Sequence, residues 1–336
     1  MRKGLLWSLL FAIAGVVLAV IGLGIGSVHV PPAKVWGALT GSLQDGTAAV
    51  IVRQVRLPQV LTAALAGGGL AAAGLIMQTL FRNPLAGPGV LGITSGAGLG
   101  VAVVTLTGAS AFLPWPRDLL VVAAALSGAF GVLTLITLAD RRIGDGLTLL
   151  IIGLMTGYLC SAIVSVLQSA SAAQALKDQV MWGMGTFGAV QGVQLWWLAT
   201  VVLAGLIAAI ALVKPLNALL LGEEYAASMG TDTARTWRIA IGTTGLLAGV
   251  ITAFCGPVAF LGLAVPHIAR LFVRTNDHAA LMPASILLGS ALAIGCDSVT
   301  RVAGTDPALP LNAVTSLLGA PVVLWILLGG EHRSRA

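Results

Sequence analysis

Charged residues are scarce in this chain. Asp, Glu, Lys and Arg make up 9% of its 336 residues, whereas ordinary soluble domains contain about 25%. Hydrophobic residues make up 57%, so there is too little polar surface to cover a water-exposed exterior. This shortage excludes a soluble globular domain and indicates a membrane protein.

Short segments of alternating polarity are also missing. A transmembrane β-barrel would show such segments at about ten residues each, whereas the apolar runs here reach the roughly 20 residues that a membrane-spanning helix needs. The first run is too long for the apolar core of a signal peptide and has no small-residue cleavage site after it. We therefore predict an all-α integral membrane protein with a single transmembrane domain over residues 1–336. It should contain about ten helices, at residues 5–27, 57–80, 89–108, 118–139, 147–167, 192–213, 236–254, 259–273, 279–300 and 308–329.

Residues that build reactive or metal-binding sites are few and dispersed. The three cysteines lie inside apolar runs and are predicted to be core residues without a disulfide. Four His and three Cys show no ligand spacing such as CxxC or HxxxH, so we predict no metal site and interpret His267 as structural. No set of paired carboxylates or Ser, His and Asp indicates an enzyme. The net charge of +6 comes from basic residues scattered at helix ends, which argues against binding to nucleic acid.

The basic residues do indicate how the chain crosses the membrane. With the N-terminus inside, twelve of the eighteen Lys and Arg residues fall in cytoplasmic segments and six in outer ones, as the positive-inside rule requires. Ten crossings then put both termini on the cytoplasmic side.

A short sequence echo suggests an internal repeat. Leu85–Gly92 follows the second helix and Phe254–Gly262 follows the seventh, and both place Gly-Pro shortly before Leu-Gly. Because the two preceding helices run in opposite directions, the echo predicts an inverted repeat of helices 2–5 and 7–10, an arrangement common in transporters. The alternative is that Gly-Pro simply marks turns.

A polar insert, Leu216–Asp232, separates two apolar runs. Lys214 and Pro215 are predicted to end the sixth helix, Asn217 to begin a short amphipathic helix, Gly230 to end it, and Asp232 or Thr233 to begin the seventh helix. Helices that lie on anionic lipid usually carry Lys or Arg on the polar face. This one carries Glu223 and Glu224, which favours a protein partner over lipid.

Four ordered motifs give the chain a resemblance to a known family. They are Arg56–Gly100, Leu221–Gly230, Gly256–Leu271 and Leu309–Leu328. Together they resemble the FecCD-type permeases of binding-protein-dependent ABC importers, which carry iron-siderophores, haem and cobalamin across the bacterial inner membrane.

The resemblance implies an assembly and a way of working. Two permease chains, with two copies of this chain favoured over a pair of related chains, would bind two cytoplasmic ATPases and a periplasmic binding protein. ATP and magnesium would be held by the ATPases, since this chain has no GxxxxGK[ST] loop and no cofactor of its own is expected. Residues 214–235 would form the cytoplasmic coupling loop, with contacts to the ATPase from Gly222, Glu223, Glu224, Ala226, Met229 and Gly230. The cargo would be a metal chelate, first a ferric siderophore, then haem or cobalamin, moved by alternating access.

The resemblance also assigns roles at both ends of the helices. Arg56 and Arg301 would dock the binding protein through acidic partners, although Gln59 stands where the family often has a basic residue, and Arg53 is the candidate to compensate. The alternatives are a helix-end position for Arg56 and a pair with Asp297 for Arg301. Asn83 and Leu85 would form the cytoplasmic gate, in a turn that Asn-Pro favours in any case.

A secondary transporter driven by an ion gradient is the competing function. Such proteins usually carry ionisable residues in the middle of the membrane. In this chain Asp118, Asp140, Asp178, Asp297 and Asp306 are all predicted near helix ends or in loops, which favours the ATP-driven importer.

Overall fold

The fold was determined as a computed structural model that describes residues 2–26, 28–43, 46–109, 114–143, 146–302 and 309–330. Asp306, Arg333 and Arg335, which contributed to the sequence-based predictions, lie outside these residues. Helices are the only regular secondary structure in these residues, which confirms the all-α prediction. Its helices are α1 Arg2–Gly24, α2 Pro32–Thr40, α3 Thr47–Val50, α4 Leu57–Leu80, α5 Ile93–Leu106, α6 Arg117–Ile143, α7 Gly146–Ser169, α8 Ala173–Gly183, α9 Val193–Ala211, α10 Val213–Leu220, α11 Glu223–Ser228, α12 Thr233–Cys255, α13 Leu261–Val273, α14 His278–Val302 and α15 Leu311–Gly330.

A helix lies over each of the ten predicted segments, as α1, α4, α5, α6, α7, α9, α12, α13, α14 and α15. Among the described residues, seven helical spans are long and apolar enough to cross a membrane, while α5, α13 and the part of α15 up to Trp325 are shorter. The face that carries α10 and α11 is called the inner face below. The opposite face, with α2 and the end of α1, is called the outer face.

Helix α4 is the centre of the bundle. Of the most apolar part of its span, 83% is buried, against 11% for α1 and 17% for α7. It packs against α14, α12, α13 and α9. The outward sides of α1, α7 and α9 carry large apolar side chains instead, as surfaces that meet lipid or another membrane chain do.

Glycine allows this central packing. A Cβ atom at Gly67 would overlap the backbone of Gly289 in α14, and one at Gly74 would overlap the carbonyl oxygen of Gly262 in α13. A Cβ at Gly69 would lie 2.7 Å from a methyl carbon of Ile251 in α12. The small residues of Ala66–Gly74 therefore serve backbone contact on several sides of one helix, as predicted for chains that associate without a hydrophobic force between helices.

The contacts between helices follow the predicted inverted repeat. α4 packs on α14 as α12 packs on α6, and α5 packs on α6 as α13 packs on α14. Both echo motifs lead into a short helix through a residue with positive φ, Gly92 at +74° and Phe260 at +64°. Gly92 lies against Gly153 of α7, and Phe260 against Gly319 of α15. These matching contacts give the echo a structural meaning beyond that of a turn marker.

Three local predictions were wrong. Lys214 and Pro215 do not end the sixth helix, because α9 ends at Ala211 and both residues lie in the first turn of α10, where the missing N–H of proline is harmless. Asn217 does not begin a helix but lies inside α10. The insert is also two helices rather than one, with the break at Gly222. Helices α2 and α8 were not predicted from the sequence.

We expect Gly74→Ala to destabilise the fold by about 1–3 kcal/mol, because the added methyl group has to push α4 and α13 apart. Gly131→Ala is the matched control, since Gly131 lies within α6 and a Cβ there meets no atom within 4 Å. Thermal unfolding of both variants in detergent measures the difference. Equal unfolding temperatures for the two variants would contradict the backbone contact.

Candidate functional site

The insert is held in shape by its glycines and by one aspartate. Gly222 precedes α11 with φ +116°, and Gly230 follows it with φ +83°, both in a region that other residues rarely adopt. The N–H of Gly230 donates to the carbonyl of Ala227 (2.9 Å) and that of Thr231 to Ala226 (3.0 Å), which is the Schellman arrangement. Asp232 begins α12 by accepting a hydrogen bond from the N–H of Arg235 at 2.8 Å. The predictions that Gly230 ends a helix and that Asp232 begins α12 are confirmed.

Most residues predicted to couple to an ATPase lie on the surface of the insert. Glu223, Glu224, Met229 and Gly230 are exposed. Gly222 is partly buried, and Ala226 is fully buried and anchors α11 to the rest of the chain.

Exposed apolar side chains lie among these polar groups, where a purely solvated loop would not place them. They are Leu220, Leu221, Tyr225 and Met229, between 46% and 64% exposed.

Two grooves flank the insert on the inner face. The first, of about 620 Å³, is lined by Glu223, Asp140, Arg141, Trp237 and Arg238 and so contains charges of both signs. The second, of about 650 Å³, lies between α9, α10 and α12 and is bordered by Met229 and Gly230. The insert therefore projects between two recesses, which is a shape that side chains of a partner can enter.

The predicted gate residues form a tight turn after α4. The side-chain oxygen of Asn83 accepts a hydrogen bond from the N–H of Leu85 at 2.9 Å, which is the turn chemistry expected of Asn-Pro. The side chain of Leu85 is 41% exposed at the inner face. The turn is thus confirmed, and the gating role stays a prediction.

Three polar side chains fasten this turn to α13. His267 is 9% exposed, and its Nε2 donates to the carbonyl of Pro84 at 2.6 Å. Gln78 donates to the carbonyl of Leu263 at 3.0 Å and accepts from Arg270 at 2.6 Å. The structural role predicted for His267 is confirmed. Among the described residues, no group of three or more His, Cys, Asp or Glu side chains is placed to hold a metal ion.

At the outer face, the two predicted docking arginines turn toward the protein, with Arg56 buried and Arg301 partly buried. Arg56 is 4% exposed and donates to the carbonyls of Leu23, at 2.8 Å, and Val28. Arg301 donates to the carbonyl of Gly22 at 2.9 Å and pairs with Asp297 at 2.7 Å. Since the last carbonyls of a helix have no partner within it, both guanidinium groups satisfy the end of α1. The pairing of Arg301 with Asp297 was one of the sequence-based alternatives.

Other polar contacts complete the outer face. Gln59 donates to Asp297 at 2.8 Å, so it joins the group around Arg301 instead of offering a surface charge. Arg53 is exposed and donates to the carbonyl of Ala38 in α2. The hydrogen bond from Arg117 is the main cause that lowers the pKa of Asp178 below its usual value, and this pair joins α6 to α8. Because the pair is exposed, its contribution to stability is small.

Three contributing residues were not predicted from the sequence: Gln78 and Arg270, which hold the gate turn, and His278, which contacts the insert. Gln78 does carry a usable signal, because a lone amide in an apolar helix needs a buried partner. Nothing in a single sequence names that partner, since Gln78 and Arg270 are 192 residues apart.

Comparisons with known proteins agree with this geometry. The profile of the FecCD transport family matches residues 13–329. The vitamin B12 import system permease protein BtuC of Klebsiella pneumoniae subsp. pneumoniae is 35% identical over 332 residues, which cover 99% of this chain and 96% of that protein. The protein of the same name in Escherichia coli O157:H7 is 35% identical and covers 97% and 96%.

A solved structure has the same fold. It is a chain described as a metal-chelate type ABC transporter in an inward-facing conformation. The two chains superpose with a TM-score of 0.83 at 29% identity, over 97% of this chain and 99% of that one. This chain therefore belongs to the FecCD transport family and is a multi-pass membrane permease subunit of an ABC importer, in which ATP hydrolysis takes place on a separate subunit.

Proposed function

We propose that this permease imports a metal chelate of the cobalamin class across the bacterial inner membrane. The observation that carries the proposal is the full-length similarity to vitamin B12 permeases together with the fold of a metal-chelate transporter. Among the candidate cargoes, the sequence by itself favours ferric siderophores, which we now place second after cobalamin, with haem third. The described residues form no metal-binding cluster, which is compatible with a metal that travels inside its chelate.

The working complex that we propose contains two permease chains, two ATPases that hold ATP and magnesium, and one binding protein. Two copies of this chain are the favoured pair, and a related second chain is the alternative. The exposed apolar sides of α7, α9 and α15 offer surfaces for lipid and for the second permease. Leu85 is exposed at the inner face, and Asn83 and Leu85 are proposed to close the pathway there against the second permease chain.

The insert is proposed to be the coupling element, residues 214–235, that enters the ATPase. Its support is the exposed mixture of acidic and apolar side chains around Glu223 and Met229, between two grooves. Aromatic and methionine side chains at the centre and charges at the edge are typical of protein interfaces. Closure of the ATPase pair would then move this element and open the other end of the pathway.

Docking of the binding protein is proposed at the outer face. Arg53 and Lys34 are exposed basic residues there and would make the first contacts. Arg56 and Arg301, which the family resemblance assigns to docking, would take part by adding positive charge close behind the surface. A direct contact from either of them requires its guanidinium group to leave the carbonyls of α1.

Uptake measurements test the transport proposal. In a strain that lacks this chain, we expect uptake of labelled cobalamin to be lost, and the intact chain to restore it. Depletion of ATP should abolish uptake, whereas collapse of the proton gradient at constant ATP should not. If the strain that lacks this chain takes up cobalamin normally but loses uptake of ferric siderophore or haem, the cargo is that compound instead. Dependence of uptake on the proton gradient alone would support a secondary transporter.

Glu223→Lys tests the coupling element. Reversal of an interface charge should reduce uptake roughly tenfold, the effect of about 1.4 kcal/mol of interface energy, and should weaken co-purification of the ATPase. Glu223→Gln has the same shape without the charge, so its uptake should lie between that of the unaltered chain and that of Glu223→Lys. Gly222 is less suitable, because any side chain at φ +116° strains the loop itself. Unchanged uptake and co-purification in Glu223→Lys would remove Glu223 from the interface.

Arg53 and Arg56 form a matched pair for docking. Arg53→Glu should weaken binding of the binding protein, and more so at low salt, because exposed charges are screened by ions. Arg56→Ala should instead lower the free energy of unfolding by about 1–3 kcal/mol, since buried carbonyls lose their donor. Binding assays across a salt series and thermal unfolding separate the two effects. If Arg56→Ala unfolds like the unaltered chain, Arg56 does not cap α1.

A further inference from the structure

A line of polar side chains joins the insert to two membrane helices. The side-chain oxygen of Asn217 in α10 accepts two hydrogen bonds from His278 at the start of α14, from its backbone N–H and from Nδ1, both at 2.8 Å. On the other side of the ring, Nε2 of His278 lies 2.7 Å from the hydroxyl of Thr79 in α4. We call Asn217, Asp277, His278 and Thr79 the inner link.

The chemistry of the inner link fixes the orientation of each group. The amide nitrogen of Asn217 donates to Asp277 at 2.7 Å, so the amide oxygen has to face His278. In a neutral ring, Nδ1 then carries the proton, and Nε2 is the acceptor that faces the hydroxyl of Thr79. The single hydroxyl proton of Thr79 has a second acceptor within reach, the carbonyl of Leu75 at 2.9 Å. His278 is 1% and Thr79 6% exposed. Breaking the contact at either ring nitrogen of His278 would leave a buried polar group without a partner, which costs far more than losing a contact in water.

The inner link ends where the gate turn begins. Thr79 lies in the last turn of α4, and its carbonyl accepts from the N–H of Arg82 at 3.2 Å. The carbonyl of the neighbouring Gln78 accepts from the N–H of Asn83, also at 3.2 Å. The Asn83–Leu85 turn thus follows directly from the residue that the link holds.

Helix α10 also makes apolar contacts near the inner link, and these depend less on direction than its hydrogen bonds do. Leu216 and Leu219 are buried and pack α10 on its neighbours. Such contacts tolerate sliding, whereas hydrogen bonds weaken steeply when their angle changes. Asn217 and His278 are therefore the groups that fix the distance between α10 and α4.

We propose that Asn217 and His278 are positioning residues that transmit movement of the coupling element to the gate turn at the end of α4. The proposal rests on the transport function and on the coupling element proposed above. It assigns a role in energy coupling to the inner link, in addition to its role in stability.

The test uses the complete importer in proteoliposomes and measures the substrate molecules imported per ATP hydrolysed. Asn217→Asp keeps the acceptor for His278 but sets a carboxylate against Asp277. We expect the ratio to fall roughly two- to thirtyfold, the range of effects seen for residues that lie along a coupling network, while the ATPases still co-purify. Asn276→Asp is the matched control, because Asn276 is exposed and adjacent to Asp277 and forms no part of the link. It should keep the ratio of the unaltered chain.

Two more variants guard against simple misfolding. The exchange Asn217→Asp with Asp277→Asn restores a donor and an acceptor across the pair, and it should recover most of the ratio. Thr79→Val removes only the hydroxyl at the far end of the link and should lower the ratio by itself. When it is combined with Asn217→Asp, the two effects should not be additive. Thermal unfolding of each variant separates lost coupling from lost stability.

The outcomes are distinguishable. An unaltered ratio in folded Asn217→Asp and Thr79→Val importers overturns the inference, as does a fall of equal size in Asn276→Asp. If the importer with the unaltered chain does not transport cobalamin, ferric siderophore or haem on ATP, the proposed function fails instead. A lower ratio in both link variants, with recovery in the exchanged pair, supports the inner link as the path of coupling.

Discussion

In a bilayer, helices have no hydrophobic force to hold them together, since lipid tails are as apolar as the side chains. The bundle therefore depends on how closely its backbones approach. Gly67 and Gly74 bring α4 against the backbones of Gly289 and Gly262, and the other helices are arranged around that contact. The same close contacts leave few side chains between the central helices.

The second constraint is that polar backbone groups within apolar surroundings need partners. At the outer face, Arg56 and Arg301 supply them to the end of α1. At the inner face, His267 does so for the gate turn. Residues that looked like surface charges in the sequence thus became internal donors. A family motif can therefore contain an arginine that serves as a donor to the last carbonyls of a helix.

The insert and the bundle meet through a small number of polar groups. α10 continues from α9 after a single residue and is tied to α14 and α4 through Asn217 and His278. A partner that binds α11 consequently acts on an element with defined connections to the membrane helices. In the inverted repeat, α12 and α4 occupy equivalent positions, and they pack against each other.

Length, hydropathy and helix caps are local properties, so the fold class, the ten helical segments, the family resemblance and the C-terminal end of the insert could all be predicted from the amino-acid sequence. Gly230 and Asp232 were assigned in this way. Helix packing, in contrast, determines that Asn217 faces His278 rather than starting a helix, that Gln78 meets Arg270, and that Arg56 points into the protein. Those partners are separated by between 28 and 192 residues. Which of them meet depends on how whole helices lie against one another, and no local pattern in one sequence records that.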